Sequence, residues 1–197
     1  MRLFVALDID DGIRGRITRF LDGVREFVPD ARWVRPESLH VTLKFIGEQS
    51  EMETEKIKLA LETIVANTIE MNIRGYGFFP GTRRPRVFWI GIESGTELTS
   101  LATTVDEKLA ELAIPKEEHI FSPHLTLARG AGSPRKHSPR RQKSDSGNSS
   151  FQRLQEKLAA LATPEFGTMT AREFFLYQSR LSPSGSRYTK LEGFALH

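Results

Sequence analysis

The chain has 197 residues, 39% of them hydrophobic, with 28 basic and 25 acidic side chains, a net charge of +3 and no cysteine. That supports one sizeable core and excludes a disulfide framework, a zinc-thiolate centre and a cysteine nucleophile. No apolar run approaches the roughly 20 residues that span a bilayer, and MRLFVALDID turns acidic too early for a signal peptide, so a cytoplasmic protein free of the membrane is expected.

Residues Leu3 to Ile9 are apolar and β-prone, and Asp11 to Val28 then places Ile13, Ile17, Leu21 and Val24 at helical spacing. Two short strands are expected within Ala31 to Gly47, parted by the turn signal Pro36 to Ser38. An amphipathic helix follows over Glu51 to Asn67, with Ile57, Leu61, Ile64 and Val65 on one stripe. Strands at Met71 to Phe79 and Val87 to Ile92 flank a Gly- and Pro-bearing turn, and a helix spans Thr96 to Leu112. The run His119 to Arg129 alternates as a strand.

Between Gly130 and Ser144 stand five basic residues, Arg135, Lys136, Arg140, Arg141 and Lys143, and no acid; removing that +5 from the total of +3 leaves −2 for the rest. Residues 130–150 are poor in apolar side chains and rich in Ser, Gly and Pro, so a flexible basic loop is expected there, able to attract a polyanion. Beyond it come a helix over Phe151 to Leu161 and strands over Gly167 to Gln178 and Arg187 to Leu196, the last two closing a hairpin. Several strands are joined by turns too short for a helical crossover, so the class is α+β with antiparallel pairing.

HVTLKF at residues 40–45 echoes HLTLAR at 124–129, 84 positions apart. A given histidine starts the pattern H-[VL]-T-L by chance roughly once in a thousand times; here two of five do. One such histidine reads as a half-buried strand residue, whereas two in matching context read as a site. Alternation puts His40 with Thr42, and His124 with Thr126, on one face of each strand, while Val41, Leu43 and Phe45 face the core. Lys44 shares the His40 face and reads as a solvated side chain. Trp33, Phe88 and Trp89 read as core or edge packing, and His119, His137 and His197 lack a threonine partner.

Two imidazoles of ordinary pKa about 6.5 can serve together as base and acid near neutrality. In-line cleavage of a phosphodiester needs that pair, and two threonine hydroxyls can donate to its non-bridging oxygens. No H-x-x-x-H or H-x-H spacing marks a metal site and no G-x-S-x-G elbow is present, so neither a metal nor a cofactor is expected.

The paired motifs, with RLFVALDI, WVRPESLHVTLKFIGE, FSPHLTLAR and LYQSRLSPSGSRYTKL, resemble the 2H phosphoesterase superfamily, and within it the RNA 2′,3′-cyclic phosphodiesterase (2′-5′ RNA ligase) family, over nearly the whole chain. The resemblance implies one domain over 1–197, with two pseudo-symmetric lobes whose antiparallel sheets face a central cleft, helices outside. It implies metal-independent hydrolysis of RNA-terminal 2′,3′-cyclic phosphate to a 2′-phosphomonoester, with His40 the proton donor, His124 the proton acceptor and Thr42 and Thr126 holding the phosphate; a monomer is expected. Arg129 matches a phosphate-contacting position, although strict alternation would turn it away from His124. Residues 130–150 look longer than the family's usual connection. The same groups would serve 2′-5′ ligation of cyclic-phosphate and 5′-hydroxyl ends. A non-catalytic RNA- or nucleotide-binding module would need the threonines and basic groups but not both imidazoles.

Overall fold

The structure, a computed structural model, describes residues 1–83, 85–130, 146–182 and 185–197. It has the expected α+β character: nine strands and four helices among the described residues, with every strand pairing antiparallel. In chain order the main elements are β1 (Arg2–Asp8), α1 (Asp11–Val24), β2 (Arg32–Trp33), β3 (His40–Glu48), α2 (Glu51–Glu62), β4 (Ile69–Phe79), β5 (Val87–Ser94), α3 (Thr96–Ala110), β6 (His124–Arg129), α4 (Ser146–Ala159), β7 (Glu165–Ala171), β8 (Glu173–Ser182) and β9 (Gly185–Ala195).

The strand order β7-β4-β5-β6-β3-β1-β8-β9 divides into two halves that meet where β6 lies beside β3, while β2 adds to β6. That seam is a single paired position, Val41 with Leu125. The two expected sheets are therefore halves of one curled sheet, hinged on one rung.

Helix starts obey local chemistry. The Asp10 carboxylate caps α1 by accepting from the Ile13 N–H at 2.7 Å. Ser50 and Glu53 form a reciprocal capping box at the start of α2. The α2 helix stops at Glu62 rather than running to Asn67, because Thr63, Ile64 and Val65 are consecutive β-branched residues that lose side-chain freedom in a helix. Ile64 still tucks into the core, but Val65 is turned out.

Ile13, Ile17, Leu21 and Val24 of α1 and Leu98, Leu101, Val105 and Leu109 of α3 join Leu3, Val5 and Leu7 of β1 in one core on the helix-covered face. Each fully buried Leu or Ile contributes about 1.5–3 kcal/mol there. The opposite face carries a small second cluster of Phe4, Ala6 and Tyr177 with Phe175 and Tyr188 packed against it.

Two expectations need correction. The strand expected over Gly167 to Gln178 is two strands in different halves: β7 pairs with β4, whereas β8 pairs with β1 and forms the terminal hairpin with β9. The loop expected over 130–150 yields its last five residues to α4, which begins at Ser146; residues 131–145, with the basic run and His137, lie outside the described residues.

Candidate active site

Both motif strands are built the same way. In each, a strand and a helix precede the motif strand, with the short β2 intervening in the first, and the motif strand pairs antiparallel with the strand before the helix: β1-α1-β3, then β5-α3-β6. Across the ladders, Asp8, Ala6, Val5 and Phe4 oppose His40, Thr42, Lys44 and Phe45; Gly91, Trp89, Phe88 and Val87 oppose His124, Thr126, Ala128 and Arg129.

In each ladder one step on the partner strand spans two on the motif strand, which places a β-bulge at Leu43 and at Leu127. The bulge breaks alternation, so Leu43 and Lys44 are buried in succession, as are Leu127 and Ala128. The next residue returns to the histidine face. That corrects three sequence readings at once. Lys44 is 1% exposed rather than solvated, Phe45 is 59% exposed rather than core, and Arg129 is exposed on the same face as His124 and Thr126. The buried Lys44 ammonium is paired with the Asp106 carboxylate of α3 and donates to the Pro115 carbonyl at 2.7 Å.

At the seam the strands run antiparallel through the Val41–Leu125 rung, so His40 is brought toward Thr126 and Thr42 toward His124. Val41 and Leu125 are both fully buried, and the half-buried His40, Thr42, His124 and Thr126 share the other face. The four residues singled out by the paired motifs therefore meet around one rung. His124 lies near enough to His40 for its charge to disfavour protonation of the His40 imidazole.

Each imidazole is held by the carbonyl two residues before it. His40 Nδ1 lies 2.7 Å from the Ser38 oxygen, and His124 Nδ1 lies 2.7 Å from the Ser122 oxygen. A carbonyl only accepts, so both Nδ1 atoms carry the proton. Nε2 of each ring is left to exchange protons: bare, it is a base, and protonated, it is an acid.

Aromatic rings set each imidazole's position. His40 has Phe4 at 4.8 Å, Tyr188 edge-on at 5.1 Å and Tyr177 at 6.2 Å between ring centroids. His124 has Phe79 edge-on at 5.0 Å and Trp89 at 6.2 Å. Trp89 is thus a wall of the site, while Phe88 is core and Trp33 packs edge-on against it. The indole lies over Gly77, where a Cβ would come within 2.1 Å of the ring.

Burial holds the His40 imidazole below the ordinary histidine range, opposed by the Ser38 carbonyl and the Asp8 carboxylate and reinforced by Arg129 and His124. Burial lowers His124 too, opposed by the Ser122 carbonyl and reinforced by Arg129. Arg129 thus makes itself felt at both rings. Its cation, two hydroxyls and two imidazoles on one face suit an anion that exchanges protons on opposite sides. Among the described residues, no group of three or more His, Cys, Asp or Glu converges to hold a metal, and no helix is long and apolar enough to cross a membrane.

Sequence reasoning missed Asp8, Phe4, Tyr177 and Tyr188, which line the His40 side. Nothing local marks them, because they reach His40 only through the pairing of β1 with β3 and β8 and of β8 with β9.

Residues 7–89 match the model of the LigT-like phosphoesterases. A protein of Methanothermobacter thermautotrophicus named RNA 2′,3′-cyclic phosphodiesterase is 32% identical over 202 residues, covering 100% of this chain and 99% of the relative. Another of that name, from Archaeoglobus fulgidus, is 34% identical, covering 98% of this chain and 99% of the relative. Among solved structures, a Thermus thermophilus protein superposes with TM-score 0.75 at 30% identity, covering 100% of this chain and 98% of that one. Escherichia coli LigT complexed with 3′-AMP gives TM-score 0.75 at 25% identity, covering 99% and 97%. With full-length likeness at this level, the chain belongs to the LigT-like phosphoesterases, the 2H phosphoesterase family of the RNA 2′,3′-cyclic phosphodiesterases.

Proposed function

We propose that this protein is an RNA 2′,3′-cyclic phosphodiesterase that hydrolyses the terminal cyclic phosphate to a 2′-phosphomonoester without a metal. The observation that carries this reading is the pair of imidazoles flanking one rung, each with Nδ1–H held by a carbonyl and Nε2 available. His124 takes a proton from water as its oxygen attacks phosphorus. The bond from phosphorus to the ribose 3′-oxygen breaks, and His40 delivers its Nε2 proton to that oxygen. The Thr42 and Thr126 hydroxyls and the Arg129 guanidinium hold the non-bridging oxygens as charge redistributes. Full-length likeness to proteins named RNA 2′,3′-cyclic phosphodiesterase supports RNA ends as the substrate. We further read the chain as one domain of two pseudo-symmetric lobes, working as a monomer in the cytoplasm; the repeated strand-helix-strand unit supports the first part.

The direct test offers a nucleoside 2′,3′-cyclic phosphate in EDTA and identifies the product by chromatography. The 2′-phosphate is expected. The 3′-phosphate, or activity abolished by the chelator, would overturn the reading.

The pH profile has a definite sign. A base works only above its pKa and an acid only below its own, and burial lowers both histidines. The bell of kcat/KM, which reports the free enzyme, is therefore expected to centre below about pH 6.5. Bound phosphodiester anion favours both protonated rings, so the kcat bell lies to the alkaline side of it. A kcat/KM plateau extending to pH 9 would contradict this.

Arg129→Met is expected to lower kcat/KM about 10- to 100-fold, the range for losing a hydrogen bond to a charged group. It should also move both limbs to higher pH, since Arg129 depresses both imidazoles. Steady-state kinetics across pH checks both, and unchanged limbs would remove Arg129 from the site.

A further inference from the structure

The two motif strands share their bulges, burial pattern and carbonyl contacts, yet they differ in the charge around each imidazole. Across the ladder from His40 stands Asp8; across from His124 stands Gly91. After the bulge, the first strand carries Phe45 and the second carries Arg129. The first imidazole thus has a carboxylate neighbour, whereas the second has a cation on its own strand. An acid cannot be accommodated at position 91, where even a Cβ would stand 2.8 Å from the Arg74 carbonyl oxygen.

Asp8 is fixed by three donors. Its Oδ1 accepts from Arg14 Nη2 at 2.8 Å and from the Ile9 N–H at 2.9 Å, and its Oδ2 accepts from Lys190 Nζ at 2.6 Å. Arg14 is itself anchored, donating to the Ile9 carbonyl at 2.9 Å and to the Pro36 carbonyl. Lys190 is 45% exposed on β9 and lies 3.9 Å from the centre of the Phe175 ring. The groups facing His40 are Asp8 from β1, His124 and Arg129 from β6, Tyr177 from β8 and Tyr188 from β9. Of these, Asp8 alone is an anion. Arg14 from α1 and Lys190 from β9 meet the anion itself.

We propose that Asp8 is a positioning residue that commits His40 to the proton-donor role, with Lys190 metering how much of its charge the imidazole feels, while Gly91 leaves His124 to accept. This rests on the two-histidine reading above. A nearby carboxylate favours the protonated imidazole, and a cation paired with that carboxylate cancels part of its field. The two neutralising substitutions must therefore act in opposite directions, which a purely structural role would not produce.

The experiment follows each imidazole by NMR titration in the full-length protein, comparing wild type with Asp8→Asn and Lys190→Gln. The His40 midpoint is expected to fall by roughly 0.5–1 pH unit in the first variant and to rise by a smaller amount in the second. His124 should hold its midpoint in both, and the alkaline limb of kcat/KM should follow His40. A His40 midpoint unmoved in both variants, or moving the same way in both, would overturn the proposal. Should Asp8→Asn fail to fold, the surface variant decides alone: a fixed or lowered midpoint in Lys190→Gln overturns it. Activity surviving His40→Ala and His124→Ala would instead overturn the proposed function and leave the titration result standing.

Discussion

Alanine at either His40 or His124 is expected to lower turnover of a nucleoside 2′,3′-cyclic phosphate by about 10³-fold or more, with KM little changed. Each imidazole is assigned a proton transfer in the transition state, and losing one such transfer typically costs about 10²–10⁴-fold. Neither ring is central to the core: both are half-buried on the open face, while the buried Val41 and Leu125 make the rung. The variants should therefore fold, and circular dichroism would verify it. The two losses can be told apart. An analogue with sulfur in place of the ribose 3′-oxygen expels a thiolate that needs no proton, so it should restore much of the rate in His40→Ala and little in His124→Ala. Equal rescue of both variants, or of neither, would reverse or remove the assignment of His40 as donor. The double variant should be scarcely worse than the worse single one, because groups that act as a unit are not additive.

The sequence carried the chemistry of this site further than its geometry. The paired H-x-T motifs were legible because residue type and period-2 alternation are local properties. The four motif residues accordingly share one face around the rung. Alternation then failed at the next step in both strands, for one cause. A bulge adds a residue to one strand without any composition signal, and at Leu43 and Leu127 it reverses the face of the residues that follow directly. By that single effect Arg129 lies on the His124 face, Phe45 outside the core and Lys44 within it, each against strict alternation. Asp8 was invisible for another reason: its partner His40 lies 32 residues away, and only the strand pairing brings them opposite. The terminal strands illustrate the same limit, since β7 and β8 read as one β-prone run but are separated by a crossing from one half of the sheet to the other.

Asp106→Ala is expected to destabilise the fold by about 3–5 kcal/mol, the usual cost of stripping the partner from a buried charge. The Lys44 side chain is fully buried and Asp106 is 19% exposed, so the lysine loses most when the pair is broken. Its ammonium would keep only the Pro115 carbonyl. Lys44→Met should cost clearly less, because the remaining carboxylate keeps the Glu117 N–H at 3.1 Å and reaches water. Replacing both partners with apolar groups should recover much of the loss. Burial alone would raise the Asp106 pKa, but the Lys44 ammonium and the Glu117 N–H hold it below the ordinary carboxylate value. The stability it contributes is therefore full above its unfolded pKa and is lost as pH falls through the lower folded one. Urea unfolding at pH 7 and at about pH 3 should show the wild type and Asp106→Ala converging in acid; equal costs for the two single variants, or a pH-independent gap, would refute this account. The consequence reaches the site, because Pro115 and Glu117 open the segment that leads to Ser122, whose carbonyl orients His124. A lysine placed in the core by a bulge thus ties the first motif strand to the approach of the second. Loosening it should blunt the His124 contribution to kcat even in the fraction that remains folded.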